Sequence, residues 1–126
     1  MDKYLWVGLG GFFGAVARFS VGIWIAERLG TRFPYGTFFI NISGCFLIGF
    51  LMTLVARQPS IPPAFRLIFP IGFVGAYTTF STFEYETLVN VQAGQLSVGI
   101  YNVVLSLIVG FVAVWIGMVL GRLITN

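Results

Sequence analysis

Long apolar runs alternate with short polar ones along this chain. Tyr4 to about Ala26 is apolar but for Arg18, and the polar connection Glu27 to Pro34 follows. Gly36 to about Ala56 holds no charge. The stretch RQPSIPPAF, beginning at Arg57, holds three prolines and cannot be continuous helix. A third run extends from about Arg66 to Asn90, with Glu84 and Glu86 in its tail, and QAGQ then makes a short turn. Leu96 to Gly121 is the last run and carries no charge. A membrane-spanning helix needs about 20 mainly apolar residues. The pattern therefore predicts an all-α integral membrane protein, a single domain over residues 1–126. Its four transmembrane helices are expected at about 4–26, 36–56, 66–90 and 96–121, with both termini on one side.

The first run is longer than the apolar region of a signal peptide, about 7–15 residues, so it is expected to be a retained helix. Composition agrees with lipid as the solvent. The chain is 58% hydrophobic and 9% charged, with a mean hydropathy of +0.96, against about 25% charged residues in soluble domains. Net charge is +3, but the basic residues are scattered singly, so no surface for nucleic acid is expected. With no histidine and one cysteine, Cys45, the chain offers neither a zinc site nor a Cys–His pair. No nucleophile–base pair stands out either, so an enzyme is not expected. Lys3, Arg57, Arg66 and Arg122 lie on the side of the termini, and Arg28 and Arg32 on the other. Taken alone, this bias favours termini in the cytoplasm, and its small size also admits insertion in both orientations.

Most of the 16 glycines fall inside the runs. Small residues let membrane helices approach closely, where no hydrophobic force acts between helices in lipid. Close packing is the plain account of these glycines, and self-association is expected of four short helices with so much lateral surface. The polar residues within the runs each have two accounts. Arg18 either snorkels to the interface or faces protein and a water-filled vestibule. Asn41 either joins helices, at about 0.6 kcal/mol per such contact, or donates into a pore. Tyr101 and Ser106 are further donors in the fourth run, too far apart in register for one tight stripe.

The stretch GAYTTFSTFEYE, Gly75 to Glu86, concentrates this chemistry. Gly, aromatic and β-branched residues are weak helix formers. A break is expected over Gly75 to Thr79, and at membrane depth a break is tolerated only where protein covers it or a cavity is lined by it. The alternative is a continuous helix whose Thr and Ser bond back to the preceding turn. If helix resumes near Thr79, positions 79, 82, 83 and 86 share a face, with Phe80 and Phe83 as neighbours. Phe most often packs in a core or against lipid, but a phenyl ring has a positive edge that can stabilise a small anion. Hydrogen-bond donors without a full charge suit a path that an ion must both enter and leave. Glu84 and Glu86 equally suit a cation or proton path.

Three stretches, GGFFGAVARF (Gly10 to Phe19), GTFFINISGCFLIG (Gly36 to Gly49) and TTFSTFEYET (Thr78 to Thr87), resemble the CrcB/Fluc family of fluoride channels. Tyr101 and Ser106, before Gly110, resemble its fourth helix. The resemblance spans essentially the whole chain. It implies a passive channel of the bacterial inner membrane that exports fluoride from the cytoplasm. It also implies an antiparallel, dual-topology homodimer with two pores and a central Na+, which displaces the orientation favoured by charge alone. By position, Asn41 becomes a pore-facing amide, and Phe80 and Phe83 line the fluoride path. Ser81, Thr82 and Glu86 form a polar track, and Tyr101 and Ser106 donate from the fourth helix. Arg18 sits by a vestibule, and the carbonyls of Gly75 and Thr78 hold the sodium. Ala76, Phe19 and Glu84 depart from the family's usual residues.

Two other readings compete. A proton-coupled small multidrug exporter is also a four-helix antiparallel dimer, but it needs a carboxylate in the first run, which here has Arg18 and no Glu before Glu27. A non-transporting helical subunit would use its polar residues only as contacts between helices.

Overall fold

A computed structural model describes residues 2–125 of the chain. Among them all regular structure is helical. Helix α1 spans Asp2–Leu29, α2 Tyr35–Arg57 and α6 Leu96–Leu123. These three are long and apolar enough to cross a membrane. Each outlasts its apolar run by a few residues, because helix ends carry on into the polar interface where backbone groups can be hydrated. Gly30, in the left-handed conformation at φ +77°, ends α1, and its N–H bonds the Ala26 carbonyl at 2.9 Å.

The third run is not one helix. It begins with the short α3, Pro63–Arg66, and widens into a π-helix over Leu67–Val74. It then narrows to α4, Gly75–Tyr77, and restarts as α5, Phe80–Gln92. Pro70 lies inside the π-helix and is fully buried. A proline in an α-helix lacks its N–H and collides with the carbonyl four residues back; the wider turn relieves the collision. The π segment was not foreseen from the sequence, because apolar periodicity does not distinguish i+4 from i+5 bonding over two turns.

Packing is arranged in two parallel pairs, α1 with the π segment and α2 with α6. Glycine makes both contacts. A Cβ on Gly10 would overlap the Ile68 carbonyl, and one on Gly14 the Phe73 carbonyl. In the second pair, a Cβ on Gly49 would overlap the Val114 carbonyl and one on Gly117 that of Phe46. Backbone therefore touches backbone in each pair, the close approach on which membrane helices depend for dispersion. Helix α5 lies against α6, and α1 also meets α2. The directions of the pairs put the residue 58–62 connection at the same end as both termini.

Candidate functional site

The break lies at Thr78 and Thr79, which are extended, at φ −80°, ψ 159° and φ −150°, ψ 124°. It is narrower than the expected Gly75–Thr79. Gly75 itself is helical at φ −61°, ψ −35°. The reason is the partner of the Thr79 amide. In a continuous helix this N–H would bond the Gly75 carbonyl; here it donates to Asn41 Oδ1 at 2.8 Å, and Asn41 Nδ2 donates to the Thr79 carbonyl at 2.9 Å. One side-chain amide of α2 thus satisfies both backbone groups of the residue where the helix is interrupted. Thr78 bonds back to the Val74 carbonyl through both its N–H and its hydroxyl. Thr79 caps α5, accepting from the Thr82 N–H at 3.3 Å and donating to Thr82 Oγ1 at 3.0 Å. No backbone bond among the described residues joins 79–81 to 75–77. The end of α4 therefore shows free carbonyls and the start of α5 free N–H groups.

A cavity lies on each side of this break, and Thr79 lines both. The larger, about 660 Å³, opens beside Arg18, Thr37, Thr82, Tyr85 and Glu86. Arg18 is half-buried, and its Nη1 reaches the Thr78 carbonyl at 3.4 Å. Thr37 is buried in the wall of this cavity, and Glu86 Oε2 is buried with no partner among the described residues. The smaller cavity, about 370 Å³, is lined by Asn41, Thr78, Thr79, Phe80, Phe83 and Ser106, with Gly75 and several apolar residues. None of its lining residues carries a charge. Ser106 Oγ is buried with no partner among the described residues. The Phe80 and Phe83 rings are 5.9 Å apart and tilted by 39°.

Residues 5–118 match the family described as CrcB-like protein, Camphor Resistance (CrcB). The chain belongs to the CrcB family. Its similarity to curated relatives runs nearly end to end. It is 59% identical over 120 residues to a protein of Acidobacterium capsulatum, covering 95% of this chain and 96% of that one. It is 47% identical over 120 residues to one of Solibacter usitatus, covering 95% and 98%. A protein of Synechococcus sp. is 42% identical over 117 residues, covering 93% and 90%. Each of the three is named fluoride-specific ion channel FluC.

In this CrcB chain the expected shared face of 79, 82, 83 and 86 is divided. Thr82 and Glu86 line the larger cavity, while Phe83 joins Phe80 in the smaller. At about 100° per residue the two sets form adjacent stripes of α5, and the wall between the cavities runs between them. Phe83 is buried, but Phe80 is 73% exposed. Ser81 is exposed and lines neither cavity, with its hydroxyl 3.5 Å from that of Thr79. Tyr101 lies apart on the outer face of α6, 61% exposed. Glu84 is exposed and lines neither cavity.

Sequence reasoning missed Asn102 and Thr87. Asn102, almost fully buried, donates to Thr87 Oγ1 at 2.8 Å, and Thr87 donates to the Phe83 carbonyl at 2.7 Å. This chain ties α6 to the turn of α5 that presents Phe83. The signal was an amide within an otherwise apolar run, which at membrane depth demands a partner. The Tyr77 and Ser43 hydroxyls, 3.0 Å apart, similarly join α4 to α2.

Proposed function

We propose that this chain is a passive, fluoride-selective channel that exports fluoride from a bacterial cytoplasm across the inner membrane. The observation that carries the reading is the smaller cavity. It holds an unpartnered Ser106 hydroxyl, two phenyl rings and Asn41, whose Nδ2 has one further hydrogen to donate, and it holds no charge. Fluoride is strongly hydrated, so a path for it must replace water with donors. Uncharged donors and positive ring edges do this without trapping the ion. Phe80, the first residue of α5, lines the same cavity, and this helix end adds partial positive charge. The names of the relatives support the same ion.

The path we propose enters at the larger cavity. Arg18 raises the local anion concentration there, and Thr82 hands the ion past Thr79 to the rings, Asn41 and Ser106. No covalent step is involved, and the protein is a channel rather than an enzyme. The first span, with Arg18 and no carboxylate between Tyr4 and Ala26, weighs against the proton-coupled exporter.

The working unit in this reading is an antiparallel, dual-topology homodimer with two pores. Phe80 and Tyr101, both open on the single chain, would then be covered or completed by a second copy. The nearly balanced basic residues suit insertion both ways. A central Na+ fits the residues at the break. The Gly75 carbonyl has lost its helical partner, Gly75 faces open space, and carbonyl oxygens suit a hard cation. Thr78 would supply the second carbonyl of each chain, its oxygen having a lone pair beyond the one that meets Arg18. When bound, the ion would fix the two breaks against each other and offset the partial negative charge of the α4 ends.

The test is fluoride efflux from loaded liposomes containing the purified protein. Electrogenic efflux with a potassium shunt is the expected result, and Phe80→Met with Phe83→Met should lower it at least about tenfold. Vesicles that retain their fluoride would end this reading.

A further inference from the structure

A second groove lies away from the break, between the C-terminal halves of α2 and α6. Because these helices run parallel, Arg57 in the last turn of α2 and Arg122 in the last turn of α6 emerge at the same membrane interface. The groove has a volume of about 460 Å³. Ile48, Met52, Val114 and Met118 line its depth, and the two arginines stand at its end. Gly49 and Gly117 bring the backbones together, and the side chains flanking this contact form the walls of the trench. The Arg122 side chain is exposed and makes no hydrogen bond or ion pair among the described residues. Arg57 Nε donates to Thr125 Oγ1 at 2.9 Å.

A cation in the last turn of a helix offsets the partial negative charge there. That accounts for one arginine per helix, but not for an apolar trench running into both. From Ile48 to Arg57 the trench follows α2 over nine residue steps, about 14 Å at 1.5 Å per residue. An apolar slot of this length, in a membrane helix pair and closed by two guanidiniums at the interface, matches a molecule with a hydrocarbon chain and an anionic phosphate head. Basic pockets between transmembrane helices recognise such heads, and guanidinium suits phosphate better than ammonium does. A free inorganic anion would leave the apolar depth unfilled.

We propose that this groove binds one anionic phospholipid, its acyl chain along Met52 and Met118 and its phosphate at Arg57 and Arg122. The groove adjoins the smaller cavity, with Ile48 lining both, but none of the polar residues proposed for the fluoride path lines it. Native mass spectrometry of the detergent-solubilised protein, titrated with dioleoyl phosphatidylglycerol or dioleoyl phosphatidylcholine, tests it. Phosphatidylglycerol should be retained in preference. Arg122→Gln, an exposed change that leaves the helix contacts alone, should weaken its retention about fivefold, corresponding to ~1 kcal/mol for an arginine near a membrane surface. Met118→Trp, which fills the trench, should reduce retention of both lipids, and millimolar inorganic phosphate should displace neither. Equal retention of the two lipids, or an Arg122→Gln protein indistinguishable from the parent, overturns the proposal. So does a Met118→Trp protein that changes the number of chains per complex, which would assign the groove to a second copy of the chain.

Discussion

Asn41→Ala separates two roles that the geometry gives this side chain. Asn41 bonds both the N–H and the carbonyl of Thr79, at 2.8 and 2.9 Å. Truncation leaves both backbone groups without partners at membrane depth. Each orphaned group costs about 1–3 kcal/mol, so the break should lose about 2–6 kcal/mol of local stability. The lower figure corresponds to about 30-fold in an opening equilibrium. Amide hydrogen exchange at Thr79, measured on purified protein, should accelerate by at least that factor, and fluoride efflux should fall at least about tenfold. Asn41→Asp keeps the acceptor for the Thr79 N–H but loses the donor to its carbonyl, so its exchange should be intermediate. Thr79 exchange within about threefold of the parent in Asn41→Ala would refute the clamp. Lost efflux with unchanged exchange would leave Asn41 as a donor to the ion only.

Ser106→Ala removes a buried hydroxyl that has no partner among the described residues, so melting temperature should hold or rise slightly while fluoride efflux falls; a marked loss of stability would mean that the hydroxyl is bonded within the protein. Gly14→Ala would drive a methyl into the Phe73 carbonyl and should destabilise by about 1–3 kcal/mol or more. Gly8→Ala, where a methyl meets nothing, should be neutral or stabilising in the same melting assay. Asn102→Ala leaves Thr87 bonded to Phe83 but frees it from α6. It should cost about 1–3 kcal/mol and lower efflux, and normal efflux would show that the Asn102–Thr87 contact does not position Phe83.

The apolar pattern of the chain was enough for the all-helical fold, for spanning helices of which α1, α2 and α6 are long and apolar enough to cross a membrane, and for an interruption in the third run. Apolar runs of about 20 residues leave few alternatives to spanning helices, because lipid cannot hydrogen-bond a bare backbone. The run of weak helix formers in GAYTT announced a break for the same reason. Tertiary structure decided where the break falls and how the site is partitioned. Asn41, 38 residues from Thr79, takes the amide that would otherwise continue the helix, and nothing local to Thr79 encodes that partner. The π-helix around Pro70 depends on α1 accepting it through Gly10 and Gly14. The division of α5 into one stripe with Thr82 and Glu86 and another with Phe80 and Phe83 depends on which elements flank each stripe. Periodicity specifies which residues share a helix face. Only the packing of other helices on that face decides whether neighbouring positions line one cavity or two.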